Sequence, residues 1–202
     1  MKTGLILPLL LAPLVLVAAC GPLVQIGGND KAPVALLTLR ATALPVTTTA
    51  SMTNTLSVAT PSLPGPLQTL RLPVIQRDTE LAYLTGATWA EQPNKLFARV
   101  LIDTIASRGV AILDARQTNI GATRLLSGQL LDFSLDVRDP AQPKVTLRYD
   151  ALLTGDGGKT LNVRRFERSA PVTSQTPGDV AMALNGVANA VAADVAAWVT
   201  AR

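Results

Sequence analysis

Between Arg124 and Ser169 the chain carries three consecutive stretches of alternating apolar and polar side chains, and these constrain the fold more than any other part of it. In the clearest, Lys144 to Thr154, Val145, Leu147, Tyr149, Ala151 and Leu153 share one face, with Thr146, Arg148 and Asp150 on the other. Period-two alternation marks a strand with one buried face. The stretch before it, Arg124 to Arg138, turns Leu131, Phe133, Leu135 and Val137 inward, but upstream of Leu130 the phase slips, with Leu126 and Gly128 in the other register. A one-residue slip sends every side chain to the opposite face, so a bulge is expected near Gly128 to Leu131. Gly155, Asp156, Gly157 and Gly158 then signal a hairpin, because glycine takes positive φ without steric cost, and Thr160 to Ser169 is the third strand.

Two helices flank this meander. After Pro93, the residues Leu96, Phe97, Val100, Leu101, Thr104 and Ile105 recur at spacings of three and four, with Lys95, Arg99 and Asp103 opposite. That spacing predicts an amphipathic helix with Asn94 as its cap and Gly109 as its stop. Beyond Pro177 a second stripe runs through Leu184, Val187, Val191, Val195 and Trp198, with Thr176 or Asp179 placed to cap it. Shorter extended segments are expected at Val34 to Thr42, Thr55 to Ala59, Leu70 to Ile75, Leu81 to Leu84 and Val110 to Leu113, with Thr47 to Asn54 a loop. The fold expected is α+β: a two-layer sandwich in which a mainly antiparallel sheet is covered on one face by two helices. Residues 32–202 then form one domain.

The first twenty residues have a different character. Lys2 precedes an apolar run from Leu5 to Val17, followed by Ala18, Ala19 and Cys20, the layout of a secretory signal. The run is too short to span a bilayer, and Pro8 and Pro13 each remove a helical hydrogen bond. The tetrad Val17, Ala18, Ala19, Cys20 resembles the lipobox of bacterial lipoproteins, in which the cysteine is acylated, palmitate being a usual chain, and becomes the new N-terminus. Cys20 is the only cysteine, so acylation also removes what would be a free thiol in an oxidising compartment. Residues 1–19 are thus expected to be the signal peptide and 20–31, rich in Gly, Asn and Asp, a flexible tether. In the lipobox class an aspartate after the cysteine favours the inner membrane. Gly21 occupies that position, so a periplasm-facing anchor in the outer membrane is expected, with the inner membrane's periplasmic face as the alternative.

Composition excludes several chemistries. The chain has no histidine, which rules out Ser-His-Asp and Cys-His catalysis, and metal binding would rest on carboxylates alone. No catalytic residue, metal or cofactor is expected. Asp132 and Asp136 read as solvated charges on an exposed strand face, and Arg164, Arg165 and Arg168 likewise. Losing Lys2 with the signal lowers the formal charge from +4 to +3, and aromatics are 3% of residues, so the basic stripe with interleaved rings of a nucleic-acid binder is missing.

The segment Leu81, Ala82, Tyr83, then Trp89, Ala90, Glu91 and Pro93 before the first helix resembles the ABC-type transport auxiliary lipoprotein component family, whose paraquat-inducible-protein-C-like members are associated with MCE proteins. The ordered set of early strand, Trp-Ala-Glu segment, helix, meander and terminal alanine-rich helix extends the likeness over most of the chain behind Cys20. The Thr-rich stretch Thr47 to Asn54 and Gln92 between Glu91 and Pro93 depart from the pattern. The resemblance implies a non-enzymatic accessory component of a transport system for lipids or other hydrophobic compounds in a Gram-negative envelope. It implies separate chains as partners, namely an MCE-type substrate-binding protein and the ABC permease and ATPase. It also marks Tyr83, Trp89 and Glu91 as candidate partner or ligand contacts, although Trp89 equally suits a core. The alternative from the residues is a stand-alone lipid- or lipopolysaccharide-binding lipoprotein, which requires an apolar cavity between sheet and helices.

Replacing Cys20 with alanine is expected to abolish labelling by radioactive palmitate and to release the protein from the membrane fraction. Labelling equal to wild type would show the lipobox assignment to be wrong.

Overall fold

The computed structural model describes residues 34–44, 54–113 and 121–202. Cys20, the lipobox Val17 to Ala19, the signal and the tether lie outside the described residues, as does Thr47 to Thr53 of the expected loop.

The meander forms as its alternation dictates. Strand β7 (Arg124–Asp136) pairs antiparallel with β8 (Lys144–Gly155), and β8 with β9 (Thr160–Pro171). The β8–β9 connection turns at Gly157 and Gly158, both at positive φ. The register of β7 against β8 shifts between Leu130 and Asp132, so the expected bulge is present with Leu131 as its extra residue. It keeps Leu126, Leu130, Phe133 and Leu135 all fully buried on one face. Leu131 is the exception to the sequence reading: as the bulged residue it leaves that face and lines a cleft on the other side.

The other edge of β7 is shared by two short strands, β2 (Thr55–Val58) near its start and β3 (Pro73–Arg77) near its end, both parallel to it. Beyond β3 lies β4 (Glu80–Tyr83), antiparallel, and beyond β2 lies β6 (Ala111–Ile112), parallel. A separate parallel pair joins β1 (Ala35–Leu37) to β5 (Ala87–Trp89). The sheets are therefore mixed, not mainly antiparallel: among the described residues, four of the seven strand pairs run parallel. The reason is connectivity. The chain returns from β5 through helix α1 (Pro93–Ala106) to lay β6 beside β2, and a crossover of that kind yields parallel neighbours.

Both helices cover one face, as expected. Helix α1 buries Leu96, Phe97, Val100, Leu101, Thr104 and Ile105, and Phe97 meets the edge of Tyr149 on β8 at 5.4 Å between centroids. Helix α2 (Pro177–Thr200) buries the Leu184, Val187, Val191, Val195, Trp198 stripe, with Trp198 at 5.6 Å from Phe166, the β9 neighbour of Tyr149. Thr176 caps α2 by accepting from the Asp179 N–H. Asn94 does not cap α1. Pro93, whose fixed φ suits the first helical position, opens that helix with Gln92 as its N-cap, while the Asn94 amide nitrogen donates to the Pro61 carbonyl at 2.8 Å and its Oδ1 accepts from the Lys95 N–H at 2.9 Å.

Helix α2 is long and apolar enough to cross a membrane by composition alone. Its buried stripe and its asparagines are committed to the domain. Asn185 accepts from the Arg40 N–H, and Asn189 accepts from the Thr42 N–H and donates to the Arg40 carbonyl, each at 2.8 to 2.9 Å, so the chain after β1 is clamped along the helix.

The tightest point in the sheet is Gly128. A Cβ there would stand 2.1 Å from the Asp150 carbonyl oxygen and 2.8 Å from the Tyr149 ring. Gly128→Ala is expected to destabilise the domain by about 3 kcal/mol, at the upper end of over-packing costs, because the obstruction is backbone. Chemical denaturation checks this, and a change below about 1 kcal/mol would contradict it.

Candidate functional site

The face of the sheet away from the helices is where the chain meets solvent. Its middle carries cross-strand ion pairs, and toward the β8–β9 connection it exposes Leu161 and Val163. Arg148 forks onto Glu167 at 2.8 and 3.2 Å, and Arg165 onto Asp150 at 2.7 Å through both nitrogens. The arginine cluster expected on this face is divided by the strand's alternation: Arg165 lies outward, while Arg164 stands over the Phe166 ring at 5.0 Å and Arg168 pairs with Asp194 of α2. Asp136 is not the solvated charge the sequence suggested. It is buried, and hydrogen bonds from the Arg138 guanidinium hold its carboxyl below the usual range, with Asp78 on the same guanidinium.

The ion pairs give way to an apolar cleft of about 230 Å³ beside the bulge. Its lining comes from three sources. Pro64, Pro66 and Leu67 belong to the proline-rich segment before β3, which cannot take regular structure and instead makes a single 3-10 turn at Gly65–Leu67. Ile75 and Leu81 face each other across the β3–β4 pair. Leu131, Asp132 and Ser134 come from β7, and Leu131 reaches the cleft only because it is the bulge residue. The Ser134 hydroxyl donates to Asp132 at 2.6 Å, yet burial still pushes the Asp132 carboxyl above the ordinary carboxylate value.

Tyr83, Trp89 and Glu91 do not form one cluster, and only Tyr83 touches a residue that lines the cleft. Tyr83, at the end of β4, places its ring under the Arg71 guanidinium at 4.3 Å, and its hydroxyl donates to the Pro66 carbonyl. Glu91 is exposed and held by a forked pair with Arg99 of α1 at 2.8 and 3.1 Å, whose hydrogen bonds draw its carboxyl below the usual value. Trp89 is fully buried, stacked on Phe133 at 5.2 Å, and its indole Nε1 is buried without a partner. It therefore supplies packing and offers no surface to a partner. The Leu70–Leu72 stretch joins the segments that carry Tyr83 and Trp89: the Leu70 carbonyl accepts from the Trp89 N–H and the Thr88 hydroxyl, and the Leu72 carbonyl accepts from the Leu84 N–H.

Strand β4 is a sheet edge, and Leu81 on it is exposed and lines the cleft. An edge strand presents unpaired N–H and C=O groups, and an apolar notch next to it adds side-chain recognition. The sequence pointed to Tyr83 in this region but missed Asp132 and Leu131 as cleft residues. The phase slip in β7 was the available signal, since a bulge re-aims the side chains around it. Among the described residues, no group of three metal-ligating side chains is present.

Fold and surface together define a class: an α+β two-layer domain with a filled core, a polar outer sheet face and an edge-strand notch. The chain belongs to the family of ABC-type transport auxiliary lipoprotein components, whose model matches residues 37–196. No curated protein sequence matches. Among solved structures, protein XCC0632 from Xanthomonas campestris is similar at 22% identity, over 81% of this chain and 92% of that one, with a TM-score of 0.69. An uncharacterized protein is similar at 15% identity, over 83% of this chain and 99% of that one, with a TM-score of 0.66. At these identities the likeness concerns the fold.

Two substitutions separate the roles of these residues. Trp89→Ala is expected to cost about 4 kcal/mol, as large aromatic truncations in cores do, while Trp89→Phe costs much less because it also removes an unpaired buried donor. Asp132→Asn is expected to stabilise the domain at neutral pH. A carboxyl raised in the folded state binds its proton more tightly there than when unfolded, so its penalty is full above the folded value and gone below the unfolded one. The gain in melting temperature should shrink as pH falls through the carboxylate range, and a gain that stays constant with pH would refute the assignment.

Proposed function

We propose that the protein is a non-enzymatic accessory lipoprotein of an MCE-linked ABC transport system for lipids or other hydrophobic compounds. It is held at the periplasmic face of the outer membrane by acyl chains on Cys20, with residues 20–31 as tether. The observation that carries this reading is the family match over residues 37–196. The β4 edge and its notch are the proposed docking surface for the periplasmic end of the MCE assembly, with Tyr83 at its margin.

A stand-alone lipid carrier is the weaker reading, for a physical reason. The space between sheet and helices is occupied by the ring pairs Trp89–Phe133, Phe97–Tyr149 and Phe166–Trp198, and Trp89, Phe97, Phe133 and Tyr149 have no exposed surface. Close-packed aromatic layers leave no room for acyl chains. The outer notch, at about 230 Å³, falls below the usual range for a pocket that encloses a drug-sized ligand.

Affinity purification of the full chain from detergent-solubilised envelopes is expected to recover an MCE protein together with a permease and an ATPase. Leu81→Arg, which places a charge in the notch from an exposed position, should reduce that recovery at least tenfold while leaving the melting temperature within a few degrees of wild type. Recovery of bound lipid with none of these subunits would overturn the proposal.

A further inference from the structure

Six described arginines meet a carboxylate: Arg77, Arg99, Arg138, Arg148, Arg165 and Arg168. Three that do not, Arg108, Arg124 and Arg202, line a single cleft of about 780 Å³ at the end of the domain where both helices finish and β7 begins. The described residues lining that cleft include no acid.

Arg124 is the unusual member. One terminal nitrogen donates to the Val199 carbonyl at 2.8 Å and the other to Asn54 Oδ1 at 2.6 Å, both neutral acceptors, and its Nε is buried with no partner. Burial with no counter-charge lowers its proton affinity. A guanidinium taken partly out of water without an anion is a standing cost, and an anion binding nearby offsets it.

The plainer account is that these cations complement the helix C-termini, as the Arg124 bond to Val199 does. Charge counting limits that account. Each helix end carries about half a negative charge, so the two ends offset only about one of the three guanidinium charges. The excess calls for a ligand with more charge or more oxygens than the helix ends supply.

We propose that this cleft binds a phosphate group, Arg108 and Arg202 supplying exposed guanidinium forks at its mouth and Arg124 a fixed positive wall. Guanidinium geometry matches phosphate oxygens in pairs, and three such groups spaced around one cleft suit a phosphate better than a single carboxylate. The phosphate can belong to an anionic lipid head group or be a free ion, since the cleft chemistry is the same. The site is independent of the transport reading, and it would stand if the co-purification failed.

The test titrates the full chain in a non-ionic detergent with short-chain phosphatidylglycerol, with short-chain phosphatidylcholine and with inorganic phosphate, using calorimetry at low salt. Wild type is expected to bind phosphatidylglycerol or inorganic phosphate, and phosphatidylcholine at least tenfold more weakly, because its choline cancels the charge. Tighter binding of phosphatidylglycerol than of phosphate identifies a head group as the source, and the reverse identifies the free ion. The double variant Arg108→Glu, Arg202→Glu should bind at least tenfold more weakly. Both positions are exposed and lie beyond the helix ends, so its circular dichroism and melting curve should match wild type. Binding of neither anion by wild type, or equal binding by the double variant, would overturn the proposal.

Discussion

Strand β7 is 13 residues long and must keep one face apolar along its whole length, because both helices press on the sheet it centres. A strand that long cannot hold a strict alternation through a sequence whose phase slips, and the bulge at Leu131 reconciles the two. Its effects spread in both directions. On the inner face it aligns Leu130 with Tyr149 and Phe133 with Leu147, so that one layer of rings meets both helices. On the outer face it turns Leu131 out beside Asp132, where Pro64, Pro66, Leu67, Ile75 and Leu81 complete an apolar lining. Core and outer notch are two sides of one register shift.

Close approach at Gly128 makes that shift specific. With no Cβ, Gly128 admits the Asp150 carbonyl and the Tyr149 ring into the space a side chain would take, and the Tyr149 hydroxyl then donates to the Ser127 carbonyl at 2.9 Å. Burial pushes the Tyr149 phenol well above its ordinary value, so it stays a neutral donor at any pH the envelope meets. A slip of β7 by one residue would lose that hydrogen bond and the Phe133–Trp89 stack together, so core contacts specify the register.

Legibility in the sequence followed the kind of information each signal carries. Alternation and helical spacing report which side of an element is buried, so the α1 face, the α2 stripe and the β8 face were readable residue by residue. They do not report which strand lies alongside, or in which direction. Hence the parallel placement of β2 and β3 against β7, and the pairing of β1 with β5, were hidden, since strands of three to five residues lack the length to show a period. Asp136 was misread for a related reason: its place on a polar strand face was right, but the Arg138 fork that lets it be buried depends on where the strand ends. The asparagines of α2 were legible in principle. Asn185 and Asn189 are one helical turn apart on an otherwise alanine- and valine-rich helix, a spacing that presents two amides to one extended neighbour.

The distribution of positive charge separates the two ends of the domain. Around the notch Arg148 is paired with Glu167, and Arg71 stands over the Tyr83 ring. The notch offers shape, apolar contact and the free β4 edge, features that suit an extended polypeptide whose backbone can add to the sheet. At the opposite extreme of chemistry, Arg108, Arg124 and Arg202 hold charge with no carboxylate among the described residues lining their cleft. Paired charges give long-range fields that cancel, whereas unpaired ones attract counter-ions across a Debye length. A domain that met only a protein partner through its sheet edge would gain nothing from keeping those three cations unneutralised. Their persistence beside two helix ends is therefore the feature that the transport reading alone does not explain.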